Sequence, residues 1–238
     1  MPTMKYEVVL FDADGTLMDF ERAEREALRR TFEFVGIDYA EARHLPPYKS
    51  INRQIWLEFE EGAISSAKLG RERFVRYLTA LDLDADPGKL SEAYVTYLAE
   101  GDFLIPGADE MLRALAGSCR MSVVTNGLSR VQNSRFSRSA LSRYFDGIVI
   151  SEEVGARKPE REIFDVALSA YPDVPLSKVL MVGDSLSSDI AGGITYGLAT
   201  CWYNPEGVSA PIDALPAVGG PDYDIRELRE IPPIVLGA

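Results

Sequence analysis

Two aspartates one residue apart, Asp12 and Asp14, close the run Val8-Val9-Leu10-Phe11-Asp12-Ala13-Asp14-Gly15-Thr16. A carboxylate can attack an electrophile, donate or take a proton, or hold a hard cation, and two at one chain reversal can divide those jobs. The apolar, β-prone residues before them predict a buried strand. A strand that ends in acids delivers them to the edge where open α/β sheets bind their ligands. Asp-x-Asp-Gly is also good turn chemistry, because Asp bonds its own backbone and Gly tolerates positive φ, so the pair alone does not make a site.

Three other segments end in the same way. Ser122-Val123-Val124 runs into Thr125-Asn126-Gly127, which offers a hydroxyl and backbone N–H groups to an anion; Thr125 would serve equally as a helix N-cap. Lys158 precedes Pro159 at a loop apex after Ile148-Val149-Ile150, with Arg157 a weaker candidate beside it. Val179-Leu180-Met181-Val182 ends in Gly183-Asp184-Ser185, with Asp189 at the start of the next helix. Asp184 and Asp189 together with Asp12 suit a hard cation, although an acid at a helix start also complements the helix dipole. That four strand ends all carry such groups is what makes a shared site the better reading.

The elements that must position these groups follow from periodicity. The first strand is expected at residues 6–11 and a loop with a short flap at 12–20. Residues 21–101 read as four helices. The first spans 21–35, the second is opened by Pro46-Pro47 and ends near Gly62, the third begins at Ser65, and the fourth is opened by Pro87-Gly88 and closed by Gly101. His44, the only histidine, falls in a loop on this reading. After Pro106-Gly107 helices and strands alternate: helices at 109–116, 128–141, 159–170 and 188–196, strands at 121–125, 147–150, 179–182 and 199–203. This spacing means a parallel sheet with right-handed crossovers. Asp222 to Ile225 would add an edge strand before a short helix. The helical stretch is thus inserted after the first strand, where it can act as a lid.

Composition narrows the function classes. The 238 residues are 46% hydrophobic and 26% charged, a globular balance with length for a main domain and a smaller one. The net charge of −12 argues against a nucleic-acid polymer as partner. No run has the length of a membrane span and the first residues carry no signal-peptide pattern, so a cytoplasmic protein without a membrane partner is expected. Cys119 and Cys201 sit in strand-like runs and read as buried free thiols.

In order along the chain, Asp12-x-Asp14-x-Thr16, Thr125, Lys158-Pro159 and Gly183-Asp184 with Asp189 resemble the four motifs of the haloacid-dehalogenase superfamily, and the helical insert resembles its C1 cap. Within that superfamily the chain is similar to the YjjG-type pyrimidine 5′-nucleotidases, in Phe11 to Asp14, in Ile55-Trp56 and Gly62 to Ser65, in Val149 to Gly155, and in Gly197 to Trp202. Gly15 departs from the acidic residue of that group's best-known bacterial member, and the Gly/Pro-rich tail after Pro205 has no clear counterpart.

The resemblance implies an α/β fold: a Rossmann-like parallel-sheet core formed by residues 1–18 and 103–238, and an all-helical cap formed by residues 19–102. It implies a Mg²⁺-dependent phosphatase that hydrolyses nucleoside 5′-monophosphates, pyrimidines preferred, through an aspartyl-phosphate on Asp12. Asp14 would be the acid–base. Lys158, Thr125 and the Asn126 backbone would hold the phosphoryl oxygens. The metal would be bound by Asp12, the Asp14 carbonyl, Asp184 and Asp189. For substrate choice, Tyr48, Asn52 and Trp56 recur every four residues, and an aromatic can stack on a base while an amide reads its edge. The same residues would equally pack the cap core; Met18 and Phe20 in the flap are further candidates. A sugar-phosphate phosphatase, a β-phosphoglucomutase-like mutase and a non-enzymatic phosphate-sensing module remain as alternatives. The partner expected is a small phosphate monoester, and the protein a monomer or homodimer.

Overall fold

The structure, a computed structural model, describes residues 4–209 and 219–237. Residues 210–218, part of the tail that follows Pro205, lie outside the described residues. The chain divides into two compact units. One comprises Met1–Asp19, Leu104–Ser129 and Ser139–Ala238; the other comprises Phe20–Phe103 and Arg130–Arg138.

The first unit is a six-stranded sheet with helices. In chain order its strands are β1 (Val8–Phe11), β2 (Arg120–Thr125), β3 (Gly147–Ile150), β4 (Val179–Gly183), β5 (Ala199–Tyr203) and β6 (Tyr223–Ile225). The spatial order is β3-β2-β1-β4-β5-β6 and every pairing is parallel. Parallel sheets are covered on both faces, and Val8, Val9, Leu10 and Phe11 are accordingly all fully buried. Phe11 sits opposite Val123 on one side and Val182 on the other. The chain therefore leaves β1 in both directions, the topological switch point at whose carboxyl edge such sheets bind ligands.

The second unit begins with α1 (Phe20–Val35), α2 (Glu41–Glu60), α3 (Ser66–Leu81) and α4 (Pro87–Glu100). Its core is aromatic: Tyr48 lies with ring centroids 5.3 to 5.7 Å from those of Phe74, Tyr77 and Tyr94. Asp86 caps α4 by accepting from the Gly88 and Lys89 backbone N–H groups, with Pro87 at the first helical position, where its missing N–H costs nothing. The remaining helices are α5 (Ala108–Leu115), α6 (Ser129–Arg138), α7 (Ser151–Val154), α8 (Arg161–Leu168), α9 (Ala191–Tyr196) and α10 (Ile231–Leu236). The helical unit takes Arg130–Arg138 of α6, a segment the sequence reading assigns to the α/β part. The reason is local. The last carbonyls of α4 have no partner within their own helix, and Ser134, Arg135 and Arg138 donate to Leu98 and Ala99 there.

One expectation is corrected at α2. The helix starts at Glu41, so Pro46 and Pro47 lie inside it and His44 is helical and buried, not in a loop. Proline removes hydrogen bonds from a helix, but packing compensates. His44 accepts the Ala40 N–H on Nδ1 and packs against Phe32 at 4.8 Å between ring centroids, and Tyr77 donates to the His44 carbonyl. The single turn α7 also went unforeseen. Among the described residues no helix is long and apolar enough to cross a membrane.

Candidate active site

β1 ends at Phe11, and the next residue, Asp12, stays tied to the sheet: its N–H donates to the Val182 carbonyl at 2.9 Å. Its carboxylate accepts from Lys158 Nζ at 2.5 Å. The same ammonium lies 2.6 Å from Asp189 Oδ1. Lys158 is only 1% exposed, and Asp12 and Asp189 are buried with it. Asp184 completes the group, with one carboxylate oxygen each from Asp12, Asp184 and Asp189 within 4.8 Å of one another. Thr16 donates its hydroxyl to Asp184 at 3.2 Å, and the Trp202 indole N–H donates to the Asp184 carbonyl at 2.9 Å.

Local sequence explains how Asp189 reaches the cluster. After β4 the chain makes a wide turn of π type, Leu186–Ile190, instead of the helix start expected at 188. Asp189 folds back to accept the Ser185 N–H at 3.0 Å, while Ser185 Oγ accepts from the Ser188 N–H. Two glycines leave the room this needs. A Cβ on Gly183 would lie 2.1 Å from Asp189 Oδ2. Gly15 has φ +88°, and a Cβ there would lie 2.5 Å from Asp184 Oδ2.

The electrostatics follow from crowding. Burial pushes Asp12 well above the usual carboxylate range, Lys158 opposes that, and Asp189 and Asp184 add to it. Asp184 is exposed at its outer side, yet crowding by the surrounding groups and the charge of Asp189 push its carboxyl up to about 7. For Lys158 burial works against the charge, but the adjoining carboxylates of Asp12 and Asp189 outweigh it and hold the ammonium protonated. Three carboxylates against one ammonium leave two uncompensated negative charges when all are ionised. An all-oxygen donor set with that deficit fits a hard divalent cation, which keeps several waters and needs few protein ligands.

The flap after Asp12 is closed by Met18 N–H to the Ala13 carbonyl at 2.8 Å and Gly15 N–H to the Met18 carbonyl at 2.9 Å. This fold leaves Asp14 half-buried beside Asp12. Thr125 is buried at the end of β2, and its hydroxyl accepts from the Gly127 N–H at 3.0 Å. Asn126 turns its amide onto the Lys158 main chain. Arg157, next to Lys158, pairs with Glu160 at 3.0 Å.

The expected specificity residues fare differently. Tyr48 is fully buried with its hydroxyl accepting from Arg73, so the reading of it as an aromatic open to a base is corrected in favour of core packing. Asn52 is buried and donates to Glu24 at 2.7 Å. Trp56 is half-buried, edge-on to Phe59 in a small cluster with Ile55 and Leu69. Met18 is 1% exposed within the α/β unit, and Phe20 opens α1 half-buried. Sequence reasoning passed over Thr16 and Trp202 as supports of Asp184. Thr16 lies in the Asp12 motif and could have been found there; Trp202, on β5, gives no signal. Of the two thiols expected to be buried, Cys201 is, whereas Cys119 is half-buried just ahead of β2; burial pushes Cys119 up to about 11 and Cys201 up to about 12, which favours the protonated thiol in both.

Comparison with known proteins adds to this geometry. Residues 6–197 match the haloacid dehalogenase-like hydrolase family. The chain is 41% identical to pyrimidine 5′-nucleotidase YjjG of Escherichia coli over 212 residues, covering 87% of this chain and 92% of that one. It is 32% identical to pyrimidine 5′-nucleotidase PynA of Streptococcus pneumoniae, covering 96% and 94%. Among solved structures, YfnB of Bacillus subtilis bound to magnesium superposes with a TM-score of 0.88 at 35% identity, covering 97% of this chain and 99% of the other.

Proposed function

The chain belongs to the haloacid dehalogenase-like hydrolases and is a phosphoric monoester hydrolase, and on that footing we propose that it cleaves pyrimidine nucleoside 5′-monophosphates to nucleoside and phosphate. The observation that carries the reading is the buried Lys158 ammonium set 2.5 Å from Asp12 and 2.6 Å from Asp189, at the switch point of the sheet. It keeps an anionic nucleophile and an anionic phosphoryl group compatible at one strand end.

An Asp12 carboxylate oxygen attacks phosphorus in line, and the bond from phosphorus to the 5′ oxygen breaks. Asp14 gives a proton to the departing oxygen. Water then attacks the phosphorus of the aspartyl-phosphate and passes a proton to Asp14, and phosphate leaves as Asp12 is restored. Lys158, the Thr125 hydroxyl and the Asn126 main chain hold the phosphoryl oxygens through both steps. Asp12, Asp184, Asp189 and the Asp14 carbonyl would hold Mg²⁺, which when bound supplies positive charge to the phosphoryl oxygens. Asp14 separates this chemistry from dehalogenation, which needs no leaving-group acid. The pyrimidine preference is supported by YjjG and PynA, both pyrimidine 5′-nucleotidases over nearly their full lengths.

The test is phosphate release from dUMP, UMP, dTMP, AMP, GMP and hexose phosphates, with Mg²⁺, with EDTA, and with Asp12→Asn. Release from the pyrimidine nucleotides that needs Mg²⁺ and is lost in Asp12→Asn is the expected result. Release confined to hexose phosphates would keep the chemistry and discard the substrate, and no release from any would discard both.

A further inference from the structure

Lys158 reaches its two carboxylates from a loop between α7 and α8, and a loop lysine has four side-chain torsions through which to miss them. What fixes its starting point is the side chain of Asn126. The Asn126 Oδ1 accepts the Lys158 N–H at 2.8 Å, and its Nδ2 donates to the Lys158 carbonyl at 2.9 Å. A primary amide facing both main-chain groups of one residue satisfies both in only one orientation, so the amide is not free to flip. Asn126 in turn follows directly on β2, whose last residue, Thr125, pairs with Ile150 of β3. The hydrogen bond from Gly127 N–H to Thr125 Oγ1 fixes the turn that carries Asn126. The line of support runs from sheet to turn to amide to lysine backbone to ammonium.

We propose that the Asn126 side chain is the positioning residue for Lys158: it splints the lysine's main chain to the end of β2, so that the ammonium falls between Asp12 and Asp189. This deepens the phosphatase reading, on which the importance of Lys158 rests. It assigns the Asn126 side chain a task separate from the contact its main chain makes with phosphate. Asn126→Ala removes both hydrogen bonds. Asn126→Asp keeps the acceptor but sets a second oxygen against the Lys158 carbonyl, so it fails as Ala does and does not rescue.

Two measurements test this. The first needs no activity. The full-length protein is acetylated briefly with acetic anhydride and each lysine is followed by mass spectrometry. Lys158, 1% exposed, is protected in the wild type. In Asn126→Ala its labelling should rise about tenfold, with Lys49, Lys89 and Lys178 unchanged, as release of one lysine from one splint requires. Continued protection of Lys158, or a parallel rise at all four lysines, would overturn the proposal, the second outcome meaning that Asn126 merely supports the fold.

The second measurement is a double-mutant cycle on phosphate release from dUMP. Asn126→Ala should lower kcat by roughly 100-fold in the wild-type background, the scale of an ångström-level misplacement, with a smaller change in KM. In a Lys158→Met background the same substitution should cost less than about threefold, because nothing remains to position. Equal losses in both backgrounds would overturn the inference. A wild-type protein that releases no phosphate would sink the phosphatase reading instead, and the labelling result would still decide the role of Asn126.

Discussion

The α/β unit and the helical unit both bury charged side chains, and they do so on different terms. At the strand ends Lys158 touches two carboxylates directly, and a third stands within reach. In the helical unit Arg73, 2% exposed, donates to the Tyr48 hydroxyl and lies 5.3 Å from the centre of the Tyr94 ring, while buried Glu24 binds the Asn52 amide instead. Carboxylates crowded together beyond what one ammonium neutralises are an arrangement that a further cation can complete. In the helical unit one carboxylate and one guanidinium offset each other at longer range and make their close contacts with neutral groups and a ring, so no excess charge awaits a cation there. On the proposed function the first serves chemistry, and the second serves stability.

Substitutions should separate the two. After Asp12→Asn, which should abolish release, Asp14→Asn is expected to have the largest effect, a loss of about 10²- to 10⁴-fold in kcat, with stability changed by less than about 1 kcal/mol because Asn is nearly isosteric and the residue is half-buried. A melting temperature that falls with kcat would erase the distinction from the strand-end side. Arg73→Ala is expected to do the converse. It should cost about 3 kcal/mol of stability, read by urea unfolding, through lost packing and an unpartnered Tyr48 hydroxyl, while kcat for the folded fraction stays within about threefold. A large kcat loss without destabilisation would place Arg73 in the chemistry.

The smallest effect concerns Glu24, which burial pushes up to about 7, while Lys49, Asn52 and Arg73 pull it down and Glu21 adds to the rise. Tyr94 packs nearby from α4. Between pH 4.5 and about 7 the folded state holds a proton that the unfolded chain releases, so this group makes stability fall as pH rises through that window and level off above it. Glu24→Gln keeps an acceptor for Asn52 and removes the titration. Its gain in melting temperature should therefore be greater at pH 8 than at pH 5, and an equal gain at both would show that Glu24 is not strained.

The boundaries of β3 and β5 were legible to the residue, because a β-branched run opens at Gly147 and ends at Ser151, and an aromatic-ended run follows Gly197-Leu198 and stops at Asn204. Asp12, Lys158, Asp184 and Asp189 were legible as strand-end polar groups, and the structure brings them together. The start of α2 was not, since two prolines signal a boundary in isolation and only the packing of His44 and Leu45 shows that the helix runs through them. The π turn was hidden for a related reason: it exists so that Asp189 can take the Ser185 N–H, a bond no local pattern announces. Nor did sequence separate Tyr48 as core from Tyr48 as contact, because both suit an aromatic on one recurring helix face. The Asn126 amide was invisible, as its partner lies 32 residues away.

Gly15 and Gly183 widen what counts as part of the site. Neither carries a functional group, yet a single methyl would crowd a carboxylate oxygen, of Asp184 at Gly15 and of Asp189 at Gly183. In a library of variants Gly183 should tolerate no side chain, alanine included, whereas at Gly15, where the similar nucleotidase carries an acid, a side chain is accepted if the Asp184 carboxylate shifts. At Gly183 emptiness is the information the sequence encodes.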